Sequence, residues 1–164
     1  MKKFILLLKH LGLYYVSFVM IVFGFAKFTE LQFGVNNFVE YTPLNELSNW
    51  QLAWAYFGRS YNYKLFLGII ELITGSLILF KRTRLTGLLL ALGIYVNIVI
   101  IDFEFGVTAL THATVEFIII LILLLPYLKD LKKYLWDMGG KFANYETNKN
   151  KIFSIYLPAG FIIS

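Results

Sequence analysis

The sequence predicts an all-α integral membrane protein, a four-helix bundle with both termini in the cytoplasm. Three observations carry this. Of the 164 residues, 59% are apolar and only 15% charged, against about 25% charged in soluble domains. A chain this short cannot bury so much apolar surface in water. Four apolar segments have the roughly 17–25 residues that a bilayer crossing needs: 7–26, 63–80, 85–101 and 107–127. Finally, Lys and Arg cluster at alternate ends of these segments. Composition alone therefore excludes a soluble enzyme and a disordered chain.

The first segment follows Lys2, Lys3 and Lys9. Met1–Leu8 imitates a signal peptide, but Lys9 and His10 interrupt the apolar run, so it reads as the cytoplasmic foot of the first helix. The second and third segments are short and must tilt little or thin the bilayer. The Lys81-Arg82-Thr83-Arg84 turn joins them. Twelve of the fifteen Lys and Arg fall at this turn, the first foot and the tail; Lys27, Arg59 and Lys64 fall on the other side. By the positive-inside rule the latter side is external. The bilayer, not nucleic acid, is the partner such a charge pattern implies.

The connection 28–62 is then an external loop, rich in aromatic side chains. Ser48 and Asn49 are placed to cap a short helix from Trp50 to Phe57, with Trp50 and Trp54 one turn apart. It is either an interfacial anchor or a lid over a pocket. Residues 1–138 make up the membrane domain. Its last part, 127–138, has Leu128, Leu131, Leu135 and Met138 opposite Lys129, Lys132 and Lys133, the pattern of a basic amphipathic helix on a membrane surface. Residues 139–164 are expected to be a cytoplasmic tail: a polar linker, then an apolar end that is a docking segment or the stump of a longer chain.

Ionisable residues at membrane depth default to function. Lys27, Glu71, Asn97, His112 and Glu116 all fall in the external half of their helices. Gly68, Glu71 and Gly75 share one stripe, as do Gly24 and Lys27, Gly93 and Asn97, and Thr108, His112 and Glu116. Such small-residue stripes face close-packed neighbours, and if the four meet they build an outward-facing pocket, with Arg59 and Asp102 at its rim. His112 beside a carboxylate suits proton handling near neutrality. Each residue also has a structural reading. Lys27 snorkels to the headgroups, Glu71 pairs with Lys27 or Arg59, and Asn97 joins helices. Asp102 and Glu104 are exposed loop carboxylates, and a backbone carbonyl satisfies His112.

No cysteine is present, which excludes disulfides and thiol chemistry. One histidine at depth makes a poor metal shell, so no metal site is expected. Nor is a haem site, because His10 and His112 lie at opposite ends of the bundle. No phosphate loop, HExxH or G-x-S-x-G motif occurs.

Phe23-Gly24-Phe25-Ala26-Lys27-Phe28, Gly68-Ile69-Ile70-Glu71-Leu72-Ile73-Thr74-Gly75 and Lys81-Arg82-Thr83 before a Gly/Leu-rich helix resemble the DoxX family of four-helix bacterial membrane proteins, over about 11–128. Lys27 and Glu71 match that family's charged motif positions; His112 and Glu116 match none. The loop with Trp54, Phe57-Gly58 and Ser60-Tyr61 resembles a DoxX-like subgroup. The resemblance implies a multi-pass protein of the bacterial inner membrane and a redox-associated role. A quinone is then a candidate cofactor and an oxidoreductase, soluble or membrane-bound, a candidate partner; a homo-oligomer is also open. The expected function is a membrane subunit binding a small amphiphile such as quinone. A small proton-coupled transporter subunit and a scaffold or assembly protein are the alternatives.

Overall fold

The computed structural model describes residues 2–29, 31–33, 41–133 and 136–137. Every regular element among them is helical: α1 (Lys2–Ala26), α2 (Asn49–Arg59), α3 (Tyr61–Leu79), α4 (Arg84–Glu104) and α5 (Leu110–Leu124), with 3-10 turns at Leu44–Glu46 and Leu125–Tyr127. Four stretches are long and apolar enough to cross a membrane: Lys3–Ala26, Tyr61–Leu79, Arg84–Glu104 and Leu110–Lys133. The fold is an all-α membrane bundle.

The chain divides into two units at Leu125/Pro126. In the first, α1 packs against α3 most extensively, α3 against α4, α4 against α5, and α5 more sparingly against α1. The long helices thus form a ring in chain order. The Gly24–Gly68 and Ser17–Gly75 contacts run α1 and α3 antiparallel and short connections do the same for the other neighbours, so the end of α1, the start of α3, the end of α4 and the start of α5 share one end of the bundle. In the second unit, residues 128–133 are helical after the turn at Pro126, whose missing N–H forbids a regular continuation. Leu135 and Met138 of the expected amphipathic helix, and all of 139–164, lie outside the described residues.

The α1–α3 seam is set by small residues two helical turns apart on each helix. A Cβ on Gly24 would lie 2.9 Å from the Gly68 carbonyl oxygen, and one on Gly68 the same distance from that of Gly24. Ser17 and Gly75 repeat the contact lower down, where the Ser17 hydroxyl donates to the Gly75 carbonyl at 2.7 Å. Seven-residue spacing on both helices keeps one face in register and lets the backbones touch. The stripe expected of Gly68, Glu71 and Gly75 is therefore a packing face.

Gly93 is different. Nothing lies within 4 Å of where its Cβ would be, and Asn97 is exposed on the same face. The expected close contact at Gly93 and Asn97 is replaced by open space. Thr108 is also corrected: α5 starts at Leu110, so Thr108 sits in the preceding turn and not one turn before His112.

Helix α4 runs three residues past the expected end, to Glu104. Asp102 faces inward and is only 7% exposed, so the apolar face does not stop there. The helix then closes as a Schellman motif: Gly106 takes φ 63° and Val107 N–H donates to the Asp102 carbonyl at 2.9 Å. Helix α2 forms as expected. Ser48 and Gln51 make a capping box, with Ser48 N–H donating to the Gln51 amide oxygen at 2.9 Å. Ser48→Ala should fray this end by about 1 kcal/mol, read as faster hydrogen exchange at amides 49–52 with the α1–α3 amides unchanged.

Candidate functional site

One cavity of about 480 Å³ lies at the α1-end of the bundle, and Lys27, Glu71, Asn97, His112 and Glu116 all line it. Asp102 lines it as well, whereas Arg59 borders a separate cleft beside Thr42 and Leu47. Arg59 is thus no part of the main pocket's rim. Asp102, expected as an exposed loop carboxylate and a rim group, is a buried wall residue; Glu104 is exposed, as expected.

The anchor is an ion pair. Lys27 Nζ lies 2.6 Å from Glu71 Oε2 and donates to Gln32 Oε1 at 2.9 Å. It also stands 5.6 Å above the Phe33 ring centre, within cation–π range. Lys27 is 3% exposed, so it does not snorkel. Direct contact is possible because Gly24 and Gly68 bring the α1 and α3 backbones together one turn away.

Glu116 is held separately. The Tyr15 hydroxyl donates to Glu116 Oε1 at 3.1 Å, and the buried Tyr95 stands beside the same carboxylate. Among the described residues no hydrogen-bond partner reaches the side chains of Asn97, Asp102 or His112. The backbone carbonyl expected to satisfy His112 is therefore not used. Nor do the described residues gather three His, Asp or Glu side chains that could hold a metal ion.

Aromatic residues cover the mouth. Phe33, Trp54 and Phe57 line the cavity and pack on one another, with ring centres 5.1 Å (Phe33–Trp54) and 4.9 Å (Phe33–Phe57) apart. Phe33 takes φ 63°, costly for a bulky residue, and these rings and Lys27 hold it there. Trp50 and Tyr56 point outward. Helix α2 therefore covers the cavity with one face and leaves aromatic side chains exposed on the other.

Sequence reasoning missed Tyr15, Tyr95, Gln32 and the inward turn of Asp102. A signal for two of them exists. Leu88, Tyr95 and Asp102 are seven apart and all buried, one continuous stripe of α4. Tyr15 and Gln32 have no such signal.

The fold and site define a membrane-spanning helical bundle with a largely apolar cavity at one end that carries a few polar side chains and is roofed by aromatic ones. Over 113 residues the chain is 34% identical to the uncharacterized protein YwoB of Bacillus subtilis (strain 168), covering 67% of this chain and 70% of that one. The chain belongs to the YwoB family. No family model matches it, and no solved structure matches it.

Proposed function

We propose that the cavity binds a small amphiphile such as a quinone, and that the chain is a DoxX-like, redox-associated subunit of the bacterial inner membrane serving an oxidoreductase partner. One observation carries this reading: polar side chains from all four long helices line one cavity of about 480 Å³ whose other walls are apolar and aromatic, the make-up of a small-molecule site. The lysine asymmetry supports an orientation with both termini cytoplasmic and the cavity at the external face. In this reading Asn97 and His112 supply unsatisfied polar groups for a ligand head. Glu116 with Tyr15 handles protons beside it, and Lys27–Glu71 fixes the wall against which the head sits.

Native mass spectrometry with lipid and quinone extraction, on protein purified gently from its own membranes, tests this. One quinone, quinol or other small amphiphile per chain, lost in His112→Ala without loss of folded protein, is the expected result. A consistently empty wild-type chain overturns the reading and leaves a scaffold role.

A further inference from the structure

The cavity reaches the side of the bundle as a wedge between α3 and α4. At their connecting turn the two helices touch: a Cβ on Gly87 would lie 2.8 Å from the backbone nitrogen of Ile78. Gly93 lies on another face of α4, where nothing comes within 4 Å of its Cβ position and the backbone borders the cavity. The walls of this wedge are Phe66, Leu67 and Ile70 on α3 and Leu89, Leu90 and Ile94 on α4. Phe66 is 55% exposed and Leu89 and Leu90 are more than a third exposed, so the wedge is open along the side of the bundle. In a membrane-spanning protein that side meets lipid chains.

Toward the end of α4 stands Asp102, 7% exposed, lining the same cavity. No hydrogen bond reaches its carboxylate among the described residues, and no cation there pairs with it. Its oxygens stay accessible from the cavity, and an ionised carboxylate there only accepts hydrogen bonds. From Leu89 to Asp102 is thirteen residues, about 20 Å of helix. The volume of about 480 Å³ is that of one small ligand.

We propose that the α3–α4 wedge receives the apolar chain of a single-chain amphiphile entering sideways from the bilayer, and that its hydrogen-bond-donating head lies against Asp102. This rests on the cavity being a ligand site and adds the entry route, the single chain and the donor head. The donor is a charged ammonium or a neutral hydroxyl, such as that of a hydroquinone. Quinones in their oxidised form offer only acceptors to Asp102 and are disfavoured.

The test uses the full chain in nanodiscs, with dodecylamine, decylhydroquinone, decylbenzoquinone and tail-less hydroquinone as probes and binding read by native mass spectrometry. Wild-type protein should bind a tailed donor, and dodecylamine against decylhydroquinone tells a charged head from a neutral one. Gly93→Leu, which places a side chain in empty space, should weaken the tailed donor tenfold or more. Leu90→Trp blocks the same wedge should Gly93→Leu fold poorly. Asp102→Asn should abolish the preference for decylhydroquinone over decylbenzoquinone, or weaken dodecylamine tenfold if the charged head is the one bound. Unchanged binding in both wedge variants overturns the tail assignment, and an Asp102→Asn protein indistinguishable from wild type overturns the head assignment. If hydroquinone binds as tightly as decylhydroquinone, the cavity remains a ligand site and the wedge proposal falls. If no probe binds, both fall together.

Discussion

Lys27→Met should destabilise the bundle by about 3–5 kcal/mol, the cost of leaving one member of a buried ion pair without its partner. Glu71 would stay buried on α3 with its 2.6 Å partner gone, and the Gln32 side chain would lose its donor. The double substitution Lys27→Met/Glu71→Gln should recover most of the loss, because two neutral side chains avoid the desolvation that the pair has to offset. Thermal or SDS-titrated unfolding of the four proteins in one detergent measures the cycle. A single variant as stable as wild type would mean that water reaches Glu71 and the pair carries no structural weight.

Gly68→Val should be of similar size, about 3 kcal/mol, at the upper end of overpacking costs. Its Cβ would meet the Gly24 carbonyl oxygen and the Phe28 ring, each at 2.9 Å. Neither a backbone carbonyl nor the helix behind it can swing aside, so the whole α1–α3 seam has to open. The Lys27–Glu71 contact one turn away would lengthen with it. Gly93→Ala is the control: its Cβ meets nothing, and removing a helical glycine should be neutral or stabilising by about 0.5–1 kcal/mol. Equal losses at the two glycines would contradict the packing described for the seam and the wedge alike.

Those two glycines also show how far the sequence can be read. Gly68 lies three residues before Glu71 and seven before Gly75, and that regular stripe declares a packing face. Gly93 lies four residues before Asn97 in an equally apolar helix, yet it borders a cavity. The difference is what each face meets: Gly68 packs on α1, whereas Gly93 opens onto the cavity, and nothing local in α4 records which. The four long helices were legible because composition and length suffice for them. The convergence of Lys27, Glu71, Asn97, His112 and Glu116 was legible because their depths agree along antiparallel helices. Asp102 was hidden by its place at the margin of an apolar run, where a carboxylate reads as loop. Thr108 misled in the opposite way, since the four-residue spacing extends back in the sequence before the helix itself has begun. Tyr15 sits on α1, a helix apolar on all sides, where a phenol looks like one more lipid-facing ring until Glu116 is found opposite it.

The turn between α3 and α4 is built from its own side chains. Arg84 donates through Nε to the Ile78 carbonyl at 3.1 Å and through Nη2 to that of Leu79 at 3.3 Å. Thr83 Oγ1 donates to the Leu77 carbonyl at 2.8 Å, and its N–H to that of Phe80 at 3.2 Å. The last carbonyls of α3 are thus satisfied without solvent, and the guanidinium sits at the negative pole of that helix. One consequence concerns how the chain is threaded during synthesis. A hairpin whose bend is internally saturated pays little to move as one piece, so α3 and α4 are suited to enter the bilayer together rather than in succession. With Arg84 committed to the helix end, the anchoring of this bend on one side of the bilayer falls to Lys81 and Arg82. Neutralising those two should do more to invert the hairpin than removing Arg84, whose loss would first unravel the bend.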